Sequence, residues 1–177
     1  MLILASKSPR RKELLSLITE DFVIKSSDED EALPNDITPK EAVEYLSKIK
    51  ALPFANGVDT VIGADTVVAC DGKILGKPAD RNEAFEMLRM LSGRVHSVFT
   101  GVTVIKPDSS VTFSVETRVE FFELSDSQIQ QYIDTGECDD KAGAYAIQGK
   151  GALFVKGIEG DWANVVGLPV STLNLYL

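Results

Sequence analysis

Short apolar runs alternate along this chain with segments of helical spacing, and polar turns separate them. A continuous apolar run predicts a buried strand, whereas apolar residues three and four positions apart predict a helix with one buried face. The first run is Leu2, Ile3 and Leu4, and the longest runs are rich in β-branched residues. Strands are therefore predicted at residues 2–4, 22–25, 60–70, 73–75, 98–105, 111–122 and 152–159.

The predicted helices begin at residues that favour a first helical turn. Ser8 and Pro9 suit the N-cap and the first helical position, and Thr38 and Glu41 match a capping box around the next start. Similar signals recur further along the chain. Helices are predicted to begin near residues 9, 39, 81, 126 and 169, and the second is predicted to reach about residue 52.

The turn after the first strand predicts an anion-binding site. Ser6 and Ser8 supply hydroxyl groups, the helix start supplies free N–H groups, and Arg10 and Arg11 follow directly. Planar guanidinium groups pair with phosphate oxygens through charge-assisted hydrogen bonds. The pattern favours a phosphorylated substrate, and the alternative is a basic helix start that faces solvent.

A single carboxylate, that of Asp65, interrupts the apolar run at residues 60–70. A buried charge requires a partner or a metal ion, so Asp65 is the predicted catalytic residue. The alternative is a strand-end aspartate that accepts hydrogen bonds from the backbone. The Asp71-Gly72 pair after this run predicts a two-residue hairpin.

Several other charged or glycine-rich features have a structural interpretation beside a functional one. Lys50 lies on or beside the buried stripe of the second helix, where its aliphatic stem alone could be buried. Lys77 precedes a proline and could be a turn residue, and the acidic residues 28–31 could form a solvated loop. Residues 139–152 form a glycine-rich loop that lacks the Walker A spacing. His96 is interpreted as a packed residue at a strand start and is left out of the site.

Composition limits the classes of partner and compartment. The 177 residues fit one domain or two closely joined lobes. A net charge of −9 with a pI near 4.6 argues against binding to nucleic acid or to an anionic membrane. Cys70 and Cys138 lie far apart without metal-ligand spacing, which predicts free thiols in a reducing compartment. No signal peptide and no membrane-spanning run is recognised, so the cytoplasm is the expected location.

Four ordered motifs resemble those of the Maf family of nucleoside triphosphate pyrophosphatases. They are SxSPRRxEL at residues 6–14, GADTVV at 63–68, DKAGAYAIQG at 140–149 and NVVGLP at 164–169. The resemblance covers essentially the whole chain. It implies one domain over residues 1–177 with an α/β fold of the Maf and ITPase type. In such a fold an elongated mixed β-sheet with flanking helices forms two lobes around a central cleft.

The resemblance also implies a reaction and a set of site residues. A nucleoside triphosphate would be hydrolysed to its monophosphate and pyrophosphate, with Asp65 as the general base. Glu31 and Asp65 would lie near a divalent metal, Mg²⁺ or Mn²⁺. The residues expected to bind substrate are Ser6, Arg10, Arg11, Lys50, Thr66, Lys77 and Gln148.

Three of these positions imply a base preference. Family members that act on dTTP and UTP carry Arg, Thr and Gln where this chain has Arg11, Thr66 and Gln148. The resemblance therefore implies dTTP and UTP as substrates and a homodimer as the assembly. The alternatives are a 7-methyl-GTP pyrophosphatase, a non-catalytic nucleotide-binding regulator of septum formation, and a structural domain with an incidental anion site.

Overall fold

The described part of the chain contains a mixed β-sheet of seven strands. The computed structural model describes residues 1–26 and 32–177. The strand order is β2-β1-β3-β5-β6-β7, with β4 paired to β3. The strands are β1 (Leu2–Ala5), β2 (Val23–Lys25), β3 (Thr60–Cys70), β4 (Lys73–Leu75), β5 (Val95–Ile105), β6 (Ser110–Phe121) and β7 (Val155–Glu159). β1 is parallel to both β2 and β3, whereas the β3–β4 and β6–β7 pairs are antiparallel. The predicted mixed α/β sheet is confirmed.

Helices flank the sheet and begin close to the predicted positions. They are α1 (Pro9–Leu15), α2 (Pro39–Ala51), α3 (Arg81–Leu91), α4 (Asp126–Asp134), α5 (Trp162–Val166) and α6 (Val170–Leu173). The capping box of Thr38 and Glu41 is present in both directions. Ser8 occupies the N-cap position of α1, but its hydroxyl makes no capping hydrogen bond. The predicted N-cap residue is therefore confirmed, and the hydroxyl of Ser6 accepts from the Ser8 amide at 3.3 Å.

Two predicted strand starts are wrong, and one short helix was not predicted. β5 begins at Val95 rather than at residue 98. Residues 152–154 belong to a 3-10 helix, Gly149–Phe154, that precedes β7. Gly149 has a φ of +71°, which extended backbone does not adopt, and this conformation starts the turn. Helix α5 was not predicted, because five residues are too few to show a helical period.

The chain divides into two compact units, each with its own core. The first comprises Met1–Thr66, Phe99–Val115 and Ala163–Leu177, and the second comprises Val67–Val98 and Glu116–Trp162. In the first unit a cluster of fully or largely buried side chains packs against Phe54 and Ile105; its members are Ile3, Ala5, Ala51 and Val61. In the second unit aromatic rings meet edge to face; the contacts involve His96, Phe121, Tyr132, Tyr145 and Phe154.

Two glycines allow α2 to lie directly on the sheet within the first unit. A Cβ atom on Gly63 of β3 would overlap the carbonyl oxygen of Ser47, and one on Gly101 of β5 would overlap that of Val43. Since neither position has room for a side chain, the helix backbone can approach both strands closely. This close approach brings the last turn of α2, which carries Lys50, next to the middle of β3.

Candidate active site

The carboxylate of Asp65 and the ammonium of Lys50 form an ion pair. Asp65 lies inside β3 and is only 8% exposed, whereas Lys50 projects from the last turn of α2. The partner that a buried carboxylate requires is thus a lysine side chain. This geometry contradicts the alternative of a strand-end aspartate bound to backbone. It also shows that the Lys50 ammonium is directed at a carboxylate rather than only at solvent.

The guanidinium of Arg11 donates hydrogen bonds to three separate parts of the first unit. Its Nε donates to the carbonyl oxygen of Gly167 at 2.8 Å, Nη1 donates to Ser6 Oγ at 3.3 Å, and Nη2 donates to Thr66 Oγ1 at 3.1 Å. Arg11 therefore connects α1, the turn before it, β3 and the segment that follows α5. If Arg11 binds substrate as predicted, it must do so while it makes these hydrogen bonds.

Thr66 belongs to a chain of hydroxyl groups that ends on backbone. Its Oγ1 lies 2.8 Å from Oγ1 of Thr100, and Thr100 donates to the carbonyl oxygen of Asn164 at 2.9 Å. Thr100 is fully buried, whereas Thr66 is partly exposed. Thr66 follows Asp65 in β3, and successive side chains of a strand point to opposite faces. The hydroxyl chain and the Lys50–Asp65 pair thus lie on the two faces of β3.

The two adjacent arginines of the first motif differ in their surroundings. Arg11 is bound to protein acceptors, but Arg10 makes no hydrogen bond or ion pair with any residue of the described ranges 1–26 and 32–177. Arg10 is half-buried at the start of α1. Of the two guanidinium groups, Arg10 is the one whose donors are not already bound by the described part of the protein.

The second unit holds the other two predicted substrate residues, Lys77 and Gln148. The ammonium of Lys77 lies 2.9 Å from a carboxylate oxygen of Asp140, and both side chains are exposed. Lys77 therefore forms a surface ion pair, the kind of contact that contributes little to stability. Gln148 is partly exposed at the N-cap of the 3-10 helix Gly149–Phe154, and its side chain makes no capping bond there.

The carboxylate of Glu137 holds the glycine-rich segment that follows Gln148. One oxygen accepts from the amide of Gly151 at 3.1 Å and from the Tyr132 hydroxyl at 3.3 Å, and the other accepts from the amide of Lys150 at 3.1 Å. A Cβ atom on Gly149 would lie 2.8 Å from this carboxylate. Glycine at position 149 thus allows the close approach of the Glu137 carboxylate to this loop.

His96 is buried in the second unit, as its interpretation as a packed residue predicted. It is 2% exposed, its Nε2 lies 2.7 Å from the Tyr145 hydroxyl, and the ring of Phe121 meets it edge-on. Burial lowers the pKa of His96 to about 4 and raises that of Tyr145. Within the described residues, Nδ1 of His96 has no hydrogen-bond partner.

The predicted metal site falls only partly on described residues. Glu31 lies outside them, as does the rest of the acidic run at 28–31. Among residues 1–26 and 32–177, no group of three or more His, Cys, Asp or Glu side chains is placed to hold a metal ion. Asp65 is the one predicted ligand whose surroundings are described. In the same ranges no helix has the length and apolar composition needed to cross a membrane.

A family model for Maf-like proteins matches residues 1–177 of this chain. The chain belongs to the Maf family. The fold and the ordered motifs agree with that assignment, and the predicted resemblance is confirmed.

Curated relatives of this Maf protein share about half of its residues. A protein of Bacillus velezensis is 54% identical over 172 residues, which cover 96% of this chain and 91% of the relative. A protein of Bacillus pumilus is 51% identical over 96% of this chain and 91% of the relative. A protein of Thermococcus gammatolerans is 50% identical over 98% of this chain and 93% of the relative. All three are named dTTP/UTP pyrophosphatase. The Ham1 protein of Staphylococcus aureus matches 68% of this chain and 71% of its own with a TM-score of 0.47 and 16% identity, a level that carries no information about the reaction.

Three residues of this Maf protein with a place in the site were not predicted. Thr100 and the Gly167 carbonyl contact the predicted site residues Thr66 and Arg11, and Glu137 holds the loop after Gln148. The closing motif at 164–169 includes Gly167, but no role was predicted for that residue. A hydroxyl in an apolar strand was the available signal for Thr100, but many buried threonines simply bond within the sheet.

Proposed function

We propose that this Maf protein is a nucleoside triphosphate diphosphatase that hydrolyses dTTP and UTP to the monophosphate and pyrophosphate. The names of relatives about 50% identical over nearly the whole chain support this activity. The observation that carries the proposal within this chain is the largely buried ion pair between Lys50 of α2 and Asp65 of β3. It is a carboxylate held next to a cation, which is the arrangement that water activation beside a polyanionic substrate requires.

In the proposed reaction, Asp65 accepts a proton from the attacking water. The water oxygen forms a bond to the α-phosphorus, the bond between that phosphorus and the α–β bridging oxygen breaks, and pyrophosphate leaves with the electron pair. Phosphoryl transfer of this kind depends on positioning and on charge stabilisation rather than on covalent chemistry by the protein. Lys50 fixes one oxygen of Asp65 and leaves the other for the water.

Cationic side chains would stabilise the charge of the triphosphate. Lys50 carries three N–H donors, so it can hold Asp65 and also donate to a phosphate oxygen. Arg10 has unused guanidinium donors within the described part of the chain. Lys77 would exchange its exposed partner Asp140 for phosphate, at low cost because exposed ion pairs contribute little. Ser6, whose hydroxyl oxygen accepts from Arg11, is the remaining residue proposed to bind the substrate.

A divalent cation, Mg²⁺ or Mn²⁺, fits the donor chemistry of Asp65. Mg²⁺ is usually held by one or two protein carboxylates together with substrate phosphates and water. Asp65 is the carboxylate of the described residues that would hold the metal, with Glu31 as the second carboxylate. When bound, the metal would supply charge neutralisation at the phosphate oxygens.

The proposed preference for thymine and uracil involves Arg11, Thr66 and Gln148. The direct hydrogen bond between Arg11 and Thr66 supports a joint role for these two residues. The partly exposed Gln148, which makes no capping bond, retains an amide donor and an acceptor for the pyrimidine edge.

We also propose a cytoplasmic homodimer that binds neither nucleic acid nor membrane. Two buried free cysteines, Cys70 and Cys138, fit a reducing compartment, and the acidic pI fits the absence of polyanionic partners. Light scattering after size exclusion would measure the assembly, and a monomer mass would contradict the dimer.

Pyrophosphate release tests the proposed reaction. The panel would contain dTTP, UTP, CTP, GTP, ATP and 7-methyl-GTP, with Mg²⁺, Mn²⁺ or chelator, for the wild type and for Asp65→Asn. Metal-dependent release that favours dTTP and UTP is expected, with a loss of roughly 10²–10⁴-fold in the variant while nucleotide binding remains. Preferred release from 7-methyl-GTP would overturn the base preference. Binding without release from any nucleotide would favour the regulator.

A further inference from the structure

The contacts of Thr100 fix the direction of a hydrogen-bond chain in the first unit. The chain contains four groups, each in hydrogen-bond contact with the next: the Arg11 guanidinium, the Thr66 hydroxyl, the Thr100 hydroxyl and the carbonyl oxygen of Asn164. The first can only donate, and the last can only accept. The two threonine hydroxyls between them have one proton each.

These end groups leave a single arrangement of the two protons. Thr100 donates its proton to the Asn164 carbonyl at 2.9 Å, so in its 2.8 Å contact with Thr66 it must accept. Thr66 therefore donates its own proton to Thr100, and its oxygen accepts from Arg11 at 3.1 Å. A hydroxyl oxygen accepts up to two hydrogen bonds. What Thr66 retains for a ligand is one lone pair and no proton.

We propose that Thr100 is a positioning residue for substrate specificity, because it makes the Thr66 hydroxyl an acceptor toward the ligand. An oxygen in this state cannot hydrogen-bond the triphosphate, whose non-bridging oxygens are themselves acceptors. It selects an N–H or O–H donor on the nucleoside instead. Thr66 is partly exposed and Thr100 is buried, so Thr66 is the member of the chain that a ligand can contact.

This inference rests on the proposed function for the identity of the ligand. The nucleotides dTTP and UTP share two donors, the base N3–H and the 3′-hydroxyl of the sugar. Cytosine has a lone pair at N3, which would face the lone pair of Thr66 and repel it. An acceptor at Thr66 therefore predicts discrimination against cytosine if the contact is to N3, and against a 3′-deoxy nucleotide if the contact is to the sugar.

The test compares Thr100→Val with Thr103→Val. Both residues are buried threonines of β5 with hydroxyl partners, but Thr103 bonds to Ser47 and Thr112 and takes no part in the chain. Valine keeps the side-chain shape and removes the hydroxyl, which frees the Thr66 proton to turn toward a ligand. Thr100→Ser restores the hydroxyl and serves as the rescue variant.

The readout is the ratio of kcat/KM values for UTP against CTP and for UTP against 3′-deoxy-UTP. The wild type is expected to disfavour at least one analogue, and Thr100→Val is expected to reduce that preference roughly three- to tenfold, mainly through KM. Thr103→Val and Thr100→Ser are expected to keep the wild-type ratios. The analogue whose ratio changes identifies the base or the sugar as the donor.

Two outcomes overturn the inference. One is a wild type that treats both analogues like UTP, and the other is equal ratios in Thr100→Val and Thr103→Val. Calorimetric binding of UTP, CTP and 3′-deoxy-UTP separates this failure from that of the proposed function. If the protein shows no turnover but its nucleotide-binding preferences still depend on Thr100, the proposed reaction is wrong. The positioning role of Thr100 is then retained.

Discussion

Lys50 and Asp65 form an ion pair in which both residues are largely shielded from water, with 20% of the Lys50 side chain and 11% of the Asp65 side chain exposed. Burial of two charges is costly, and the pair persists because each charge compensates the other. Removal of one partner leaves the other buried and uncompensated. The pair therefore links the stability of the first unit to the proposed chemistry, and its two members can be tested separately.

Lys50→Met keeps the aliphatic stem and removes the charge. We expect a loss of kcat of about 10²-fold, because the variant lacks a preorganised cation beside Asp65 and the triphosphate. Unfolding should become easier by about 1–3 kcal/mol, since Asp65 loses its partner. Lys48→Met is the control, as Lys48 is exposed on the same turn of α2. A kcat for Lys50→Met equal to that of the control would remove Lys50 from the site.

Gly63→Ala tests whether the close approach of α2 to the sheet positions Lys50. The added methyl group would overlap the Ser47 carbonyl and lie 2.9 Å from both the amide nitrogen and Cβ of Ala51. Overpacking of this kind costs about 1–3 kcal/mol, and we expect kcat to fall with it because Lys50 moves away from Asp65. Denaturant unfolding and kcat are measured beside Gly157→Ala, whose new Cβ would meet no atom within 4 Å. Unchanged activity in a destabilised Gly63→Ala would contradict the positioning role.

The elements of this fold were predictable where local signals and burial agree. The capping box at Thr38 and the helix start expected near residue 126 are both present in the structure, the second with a capping box at Ser125. The Asp71-Gly72 hairpin has positive φ at both residues, as a type I′ turn requires. Asp65 was identified because a charge inside an apolar run needs a partner. Sequence could not name that partner, since Lys50 had an equally ordinary explanation as a half-buried stem.

The remaining site contacts depend on long-range packing that leaves no local trace. The bond from Arg11 to the Gly167 carbonyl joins residues 156 positions apart, and its acceptor is a backbone atom that every residue carries. The position of Glu31 near a metal and the roles assigned to Lys77 and Gln148 stay predictions. The direction of the Thr66 hydroxyl likewise follows only from its neighbours in space.

Glu137→Ala is expected to loosen the loop that carries Gln148. The change removes the acceptor of two backbone amides, those of Lys150 and Gly151, and of the Tyr132 hydroxyl. We expect a loss of about 1–3 kcal/mol in unfolding free energy and faster amide hydrogen exchange over residues 148–151. Glu86→Ala on the exposed face of α3 is the control. Equal exchange in the two variants would show that Glu137 does not hold the loop.

His96 makes the stability of this protein depend on pH in a defined window. Burial among Phe121 and Tyr145 lowers its pKa from 6.5 to about 4, so the unfolded chain binds its proton more readily than the native protein between these values. The contribution of His96 to the free energy of unfolding is fully present above pH 6.5 and is lost as the pH falls toward 4. It amounts to roughly 3 kcal/mol. Chemical unfolding from pH 7.5 to 4.5 should show a steeper decline for the wild type than for His96→Gln, which keeps a polar partner for Tyr145 and does not titrate. Parallel curves would contradict a buried neutral histidine, because the remaining acidic groups are common to both proteins.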